Sequence, residues 1–594
     1  MRAISTFVSG LLLSALLLLP VSARAAELQP FYTVKASSIN TLINVAEKIG
    51  TMVGFADTDE FREFVNSVKN TRGVNPDGII GIAAAVNDAG SINTLLLLPI
   101  TDLWRAEIPG YPEVFDQIRP ALTRRGEGRF EINTPFGSYV AVQHQGYLVI
   151  TSEESADQVP ADPMKLFAEL EKYTFGMKLD LNRVEFETLE ANLFGPMLLM
   201  AMMTNPDAAE QLENMVEVYR EFYKEIAVIS GGITINPQTA DVEVSGIAVP
   251  RKGSEIEKSF AGYRQQPTIF SGFRGIPETA VFSMGDSATQ PSVENTAMMK
   301  INKQQWETVF AGFLEQIEME DDGGELTKLA RMVGETMLAI VEKESKRGSS
   351  DMALSLSTDG TLLFAFDTAS LAEIQKLAGL AVAFAEKNAP EGAKALMGDS
   401  LNLGYTTVEG FRVSSVKIPV IASLALFFGP APDDSMDDLT LGVFWATKEG
   451  DKQAIAVAAG LSMGNDFAKT EQTFKTALEK TRSAAPVQKP VGVFSIAGLG
   501  KLLQQTVYPI VEKATAQAVE DDLVDLATFR KVIEIFSAAG SDATATLDSA
   551  IKPDRVEMTY RVSGKAIQAI VSMVRSMEGI NPLEVIQRPV IRDF

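Results

Sequence analysis

The sequence predicts an α+β protein built on antiparallel sheets. Three observations carry this: a recurring strand, turn, strand, helix plan; turns short enough to join neighbouring antiparallel strands; and amphipathic helices between the hairpins. The plan is clearest in Gly231–Tyr263. Ile233 and Ile235 alternate with polar neighbours, Asn236-Pro237 breaks the run, and Val242, Val244 and Ile247 resume it. Ser254, followed three residues later by Glu257, then signals the start of a helix. The plan returns at Met352–Ala385 with a turn at Asp359-Gly360, and at Ala545–Met577 with a turn at Lys552-Pro553-Asp554. A further hairpin, Leu439–Ala459, turns at Lys448–Asp451 and leads into a helix at Phe467–Thr481. The expectation is repeated β-hairpin-plus-helix units forming antiparallel sheets packed with amphipathic helices. Residue identity between the units is low, so a true duplication into two related halves stays open.

The chain opens with Arg2, an apolar stretch Phe7–Pro20 and then Ala23-Arg24-Ala25, the pattern of a cleaved leader. Residues 1–25 are therefore expected to be a signal peptide, and the mature protein to be exported, periplasmic or extracellular. The stretch is shorter than the roughly 20 residues a membrane span needs, and so are the later apolar runs Leu193–Met203 and Val420–Phe428. No integral span is expected after cleavage. With no cysteine the chain has neither disulfides nor thiolate metal ligands, and its stability must come from burial. Arg2 and Arg24 leave with the leader, so 53 basic residues become 51 against 77 acidic ones, a formal −26. Such a surface opposes nucleic acid and anionic membranes.

In order, Phe31–Lys35 reads as a strand and Ser38–Ile49 as a helix with Ile39, Leu42, Ile43 and Ala46 on one face. Ala280–Met284 and Val491–Ser495 open later segments in the same way. A meander follows, with strands at Ile79–Val86, Thr94–Ile100, Arg129–Asn133, Tyr139–Gln143 and Tyr147–Thr151, the last two joined across His144-Gln145-Gly146. Pro160–Pro163 punctuates it, and Tyr173–Leu181 adds a strand. Asn205-Pro206-Asp207 starts a helix whose Leu212, Met215, Val216, Tyr219, Phe222 and Tyr223 recur at helical steps. Tyr263–Glu278 has the Pro and Gly content of a boundary, so the halves are expected to divide near residue 272, as 26–272 and 273–594. Helices at Gln304–Ile317 and Leu326–Lys343, and strands at Leu401–Thr407 and Phe411–Ile418, fill the second half.

Most catalytic strings fail on a single fact: the chain has one histidine, His144. Gly460-Leu461-Ser462-Met463-Gly464 has the G-x-S-x-G form between a strand and a helix, but no histidine follows it. Gly398-Asp399-Ser400-Leu401 resembles the opening motif of GDSL-type lipases over four residues, without the downstream Asp-x-x-His that those enzymes use. Ser414-Ser415-Val416-Lys417 has the S-x-x-K spacing, but the segment alternates like a strand, which points Ser414 and Lys417 to opposite faces. Gly498-Leu499-Gly500 lies where a dinucleotide site would, but the third glycine position is Leu503. Close helix packing accounts for these glycines. Acidic loops at Glu318–Glu325 and Asp433–Asp438 lack EF-hand spacing and read as solvated charge.

Leu193–Met203 and Val420–Phe428 are the most unusual stretches, and methionine-rich apolar surface adapts to varied partners. They nominate Leu193, Phe194, Met197, Met200, Met203, Leu424, Phe427 and Phe428 as ligand contacts. No catalytic residue, metal ligand or cofactor is expected. The layout, with its leader, cysteine-free chain and hairpin-plus-helix units, resembles large exported bacterial proteins of unknown function, and the resemblance implies a compartment and no activity. The expected function is non-catalytic binding or scaffolding, for a hydrophobic ligand or a protein partner. A hydrolase using carboxylates or an unrecognised serine, and a calcium-dependent structural protein, are the alternatives.

Overall fold

The computed structural model describes residues 29–576, apart from 103–121, 199–205, 276–278, 290–302, 318–323, 389–400, 420–438, 516–525 and scattered single or paired positions. The chain divides into two compact units, Met1–Glu257 with Asp554–Arg561 and Lys258–Pro553 with Val562–Phe594. Each is an α+β unit on an antiparallel sheet.

In the first unit the strands are β1 (Tyr32–Ala36), β2 (Ile80–Val86), β3 (Ile92–Leu98), β4 (Leu122–Gly126), β5 (Arg129–Thr134), β6 (Gly137–His144), β7 (Tyr147–Ser152), β8 (Phe175–Asp180), β9 (Ile226–Ile235) and β10 (Val242–Pro250). Their order across the sheet is β4-β5-β6-β7-β3-β2-β1-β8-β9-β10, and every neighbouring pair is antiparallel. Helices α1 (Ile39–Met52) and α2 (Asp59–Lys69) join β1 to β2, α3 (Pro206–Glu225) precedes β9, and α4 (Glu255–Gly262) follows β10.

The second unit holds β11 (Arg264–Gln265), β12 (Ala280–Thr289), β13 (Ser349–Ser357), β14 (Leu362–Asp367), β15 (Asn402–Val408), β16 (Phe411–Pro419), β17 (Leu439–Lys448), β18 (Ala454–Met463), β19 (Gly492–Ser495) and β20 (Thr544–Lys552). They run β15-β16-β17-β18-β14-β13-β12-β19-β20, with β11 against the far end of β12. A last strand, β21 (Arg555–Val562), lies almost wholly within the first unit, where it adds to β10. The helices are α5 (Glu325–Lys346), α6 (Leu371–Asn388), α7 (Ala468–Glu479), α8 (Ile496–Leu502), α9 (Tyr508–Thr515), α10 (Leu526–Ala538) and α11 (Gly564–Ser576).

Strand order matches between the units: β1 sits between β2 and β8 as β12 sits between β13 and β19, and β7 returns to β3 as β18 returns to β14. The match is one of connectivity.

Local chemistry explains the element ends. The Ser254 hydroxyl accepts the Glu257 N–H at 3.1 Å, and the Glu257 carboxylate accepts the Gly253 N–H at 2.5 Å, which begins α4 as the sequence predicts. Gly360, at φ +82°, makes the β13–β14 turn in a conformation that costs glycine nothing. Within α8, a Cβ on Gly498 would lie 2.5 Å from Ala280 O, and one on Gly500 would lie 2.5 Å from Ser537 N. These glycines let α8 touch β12 and α10 through bare backbone, as expected of close packing.

Part of one face of each sheet is sealed. In the second unit Phe270, Phe273, Phe411, Phe474 and Leu478 are fully buried against alanines 353, 365, 456 and 458, whose small side chains make a flat floor for the rings. Phe273 meets Phe474 edge-on, with centroids 6.1 Å apart. In the first unit Ala83, Leu95, Leu97 and Val149 are covered by Phe167 from the 3₁₀ segment Pro163–Leu170. Lys35 reaches the end of that segment and donates to the carbonyls of Leu170, Glu171 and Tyr173 at 3.1, 3.0 and 2.9 Å.

Several features depart from the sequence reading. Strand β4 was hidden because Leu122-Thr123-Arg124-Arg125-Gly126 has one apolar residue and no alternation. Pro160–Pro163, read as punctuation, starts the 3₁₀ segment with Asp162 as its cap, accepting the Met164 N–H at 3.1 Å. Gly460–Met463 does not form a strand-to-helix elbow: it lies within β18, in register with Leu439–Gly442. Thr268–Phe273 belongs to the second unit and plants Phe270 and Phe273 in its core.

Candidate functional site

The feature that stands out is the second face of each sheet, which is apolar yet incompletely covered. In the first unit, pairing sets Phe175, Ile233 and Val244 in one row and Met177, Gly231 and Gly246 in the next. Alternation places Leu179, Ile229 and Ala248 on the same side. None of these side chains is charged, whereas Lys178, Asp180 and Glu243 point the other way. Met177, Ile233 and Val244 are 43, 36 and 42% exposed, an unusual state for large apolar residues on three adjacent strands. Beyond β10, Arg561 pairs with Glu243 on the polar side. Met558 and Tyr560, 56 and 45% exposed, alternate with Arg561 and so extend the apolar side.

The second unit also has a partly open apolar face, on β13, β14, β18 and β17. Leu354, Phe364, Val457 and Trp445 form one cross-strand row, and Leu356, Leu362, Ala459 and Val443 the next. All are half-buried except Leu362, which is exposed, and Leu461 beyond it is exposed as well. Phe364 and Phe366 lie 5.0 Å apart on this side.

The nominated ligand contacts fall only partly on described structure. Leu193 lies in a π-helical turn, Glu190–Phe194, and Phe194 is half-buried. Its ring stacks on Tyr219 at 5.5 Å and approaches Phe186 at 6.4 Å, beside the cluster of Phe31, Leu181 and Val184. Met197, Met200, Met203, Leu424, Phe427 and Phe428 lie outside the described residues, as do Glu318–Glu320 and Asp433–Asp438 of the acidic loops and Gly398–Ser400. The apolar sheet faces were missed as a site because alternation alone marks both a covered and an open face.

Catalytic groups do not converge among the described residues. His144 stands at the β6–β7 turn with Nε2 2.5 Å from Ala161 O. Ser414 is buried on β16 and accepts the Gly404 N–H at 2.9 Å, while Lys417 is exposed and lies over the Phe467 ring. No group of three or more His, Asp or Glu able to hold a metal occurs among the described residues. Two hollows among the described residues are open to solvent, one between α1 and the β9–β10 turn at Pro237-Gln238, the other between α5 and α6.

The marked electrostatics serve the fold. Asp351 accepts from Thr268 Oγ1 at 2.6 Å and Ile269 N–H at 2.9 Å; Asp367 accepts from Asp351 N–H at 2.7 Å and Arg347 Nη1 at 2.8 Å. Burial raises both carboxyls above their ordinary range, against those hydrogen bonds. Burial beside Asp286 pushes the Tyr263 hydroxyl up to about 12.

No protein-family model, curated protein or solved structure matches the chain.

Proposed function

We propose that the chain is an exported, non-catalytic binding protein whose apolar sheet face takes a hydrophobic ligand. The observation that carries this is the exposure of Met177, Ile233 and Val244 on a face without a charged side chain. Burying such a face on a ligand returns about 25 cal/mol per Å² of apolar area. Among the described residues, acids and serines lie scattered without a convergent base, which favours binding over a hydrolytic step. Export rests on the leader-like residues 1–25.

Nile red, an uncharged fluorophore that brightens in apolar sites, tests this on the mature chain. Wild type should bind it saturably, and the double variant Ile233→Asp, Val244→Asp should bind about tenfold or more weakly while circular dichroism shows it still folded, its melting temperature lowered by two like charges set opposite each other. No saturable binding by wild type, or equal binding by the variant, overturns the reading.

A further inference from the structure

We infer that Gly246 on β10, beside Gly231, floors a seat for an uncharged aromatic ring. The inference rests on the hydrophobic-binding reading and gives its ligand a class. Elsewhere in both sheets, strand glycines lie under rings supplied by this chain itself: Gly81 under Phe167, Gly232 under Tyr173, and Gly442 under Phe467. A Cβ at any of the three would collide with the ring, at 2.6 Å from Tyr173 Cγ in the case of Gly232. The three rings are only 2, 3 and 4% exposed. A missing side chain thus lets a flat ring rest directly on strand backbone, where its dispersion contacts are densest.

Gly246 has the same floor and no ring. A Cβ built there would meet nothing closer than Ser230 O at 4.0 Å, whereas one on Gly231 would lie 2.5 Å from Ser245 O. The opening is therefore above Gly246. Ile229 with Ala248, and Ile233 with Val244, bound it two residues to either side. At about 3.3 Å per residue those rows stand roughly 13 Å apart between backbones. Their side chains narrow the gap to the width of a ring, too little for a helix about 10 Å across. Met177, directly across from Gly231 and 43% exposed, offers a thioether at the rim, a favourable partner for an aromatic edge. The strand residues on this side of β8, β9 and β10 are uncharged, so an ionised ring would lose hydration with no partner among them.

The test uses the full mature protein with 2-naphthol as a neutral ring and 2-naphthoate as its anionic counterpart at pH 7. Gly246→Val puts two methyl groups into open space on a strand, where valine is favoured, so the melting temperature should hold or rise. The variant should lose at least about tenfold in 2-naphthol affinity, a difference of about 1.4 kcal/mol. Gly246→Ala, the smaller filler, should lose roughly threefold, and it keeps the test valid if valine disturbs the fold. Wild type should bind 2-naphthoate about tenfold more weakly than 2-naphthol. Saturable Nile red binding with 2-naphthol affinity unchanged by either filler overturns the seat and leaves the hydrophobic-binding reading standing. Equal affinity for naphthoate overturns its neutrality, saturable Nile red binding with no 2-naphthol binding overturns the seat alone, and binding of neither Nile red nor 2-naphthol overturns both inferences.

Discussion

Lys35→Met isolates a buried ammonium that clamps the first unit. The lysine is 5% exposed, and its three protons go to the carbonyls of Leu170, Glu171 and Tyr173 at the end of Pro163–Leu170. Methionine keeps the apolar stem and removes all three bonds. Two carbonyls retain other donors: Leu170 O accepts the Tyr173 N–H at 3.0 Å, and Tyr173 O accepts the Ser37 hydroxyl at 3.1 Å. Glu171 O bears most of the loss. Hydrogen bonds to a charged group contribute about 1.5–3 kcal/mol each, and a carbonyl left unsatisfied costs about 1–3 kcal/mol. Relief from holding a charge in a dry site offsets part of this, since burial lowers the Lys35 pKa. The net expectation is about 3 kcal/mol, or roughly 6 °C for a unit of this size. Differential scanning calorimetry should show the shift. Lys178→Met, which removes a bridge to the 71% exposed Glu169, should change stability by less than about 1 kcal/mol. A Lys35→Met shift no larger than that of Lys178→Met would refute the reasoning.

Phe474→Ala empties a fully buried ring site between Phe273 and Phe444, and chemical denaturation should record a loss of about 3–5 kcal/mol. Gly500→Ala forces α8 away from Ser537; a loss of about 2 kcal/mol or more is expected in the same assay, far from the gain that alanine brings to an ordinary helix. Asp351→Asn tests the acid pair through pH. Because the folded carboxyl is raised, the folded state binds more protons than the unfolded one, and this group's contribution falls as pH rises through its folded value. The melting temperature of the variant minus that of wild type should therefore climb between pH 4 and pH 7, and a flat or falling difference contradicts the assignment.

Much of the architecture was legible because period and punctuation agree. Ile233, Ile235, Val242 and Val244 alternate around Asn236-Pro237, and Pro206 and Ser254 sit at helix starts. Even Gly498 and Gly500 could be read as packing glycines, since Leu503 spoils the alternative. Strand β4 could not be read, because its two arginines and its threonine carry no period, and it is held by pairing with Phe130 and Ile132 of β5. The site was the harder part. Methionine density drew attention to Leu193–Met203, whereas the exposed apolar face depends on which side of a sheet its neighbours cover. Gly246 and Gly232 are two glycines of adjacent strands, and only the fold reveals that Tyr173 fills one and nothing fills the other.

Native mass spectrometry of the mature protein purified from its own host, set beside the same sample after denaturation, tests the central claim most directly. The account predicts an uncharged hydrophobic molecule that travels with the folded chain, is released on unfolding, and is lost in the Ile233→Asp, Val244→Asp variant. A bare chain that also refuses added Nile red, or a bound molecule that is steadily converted to product, would contradict it.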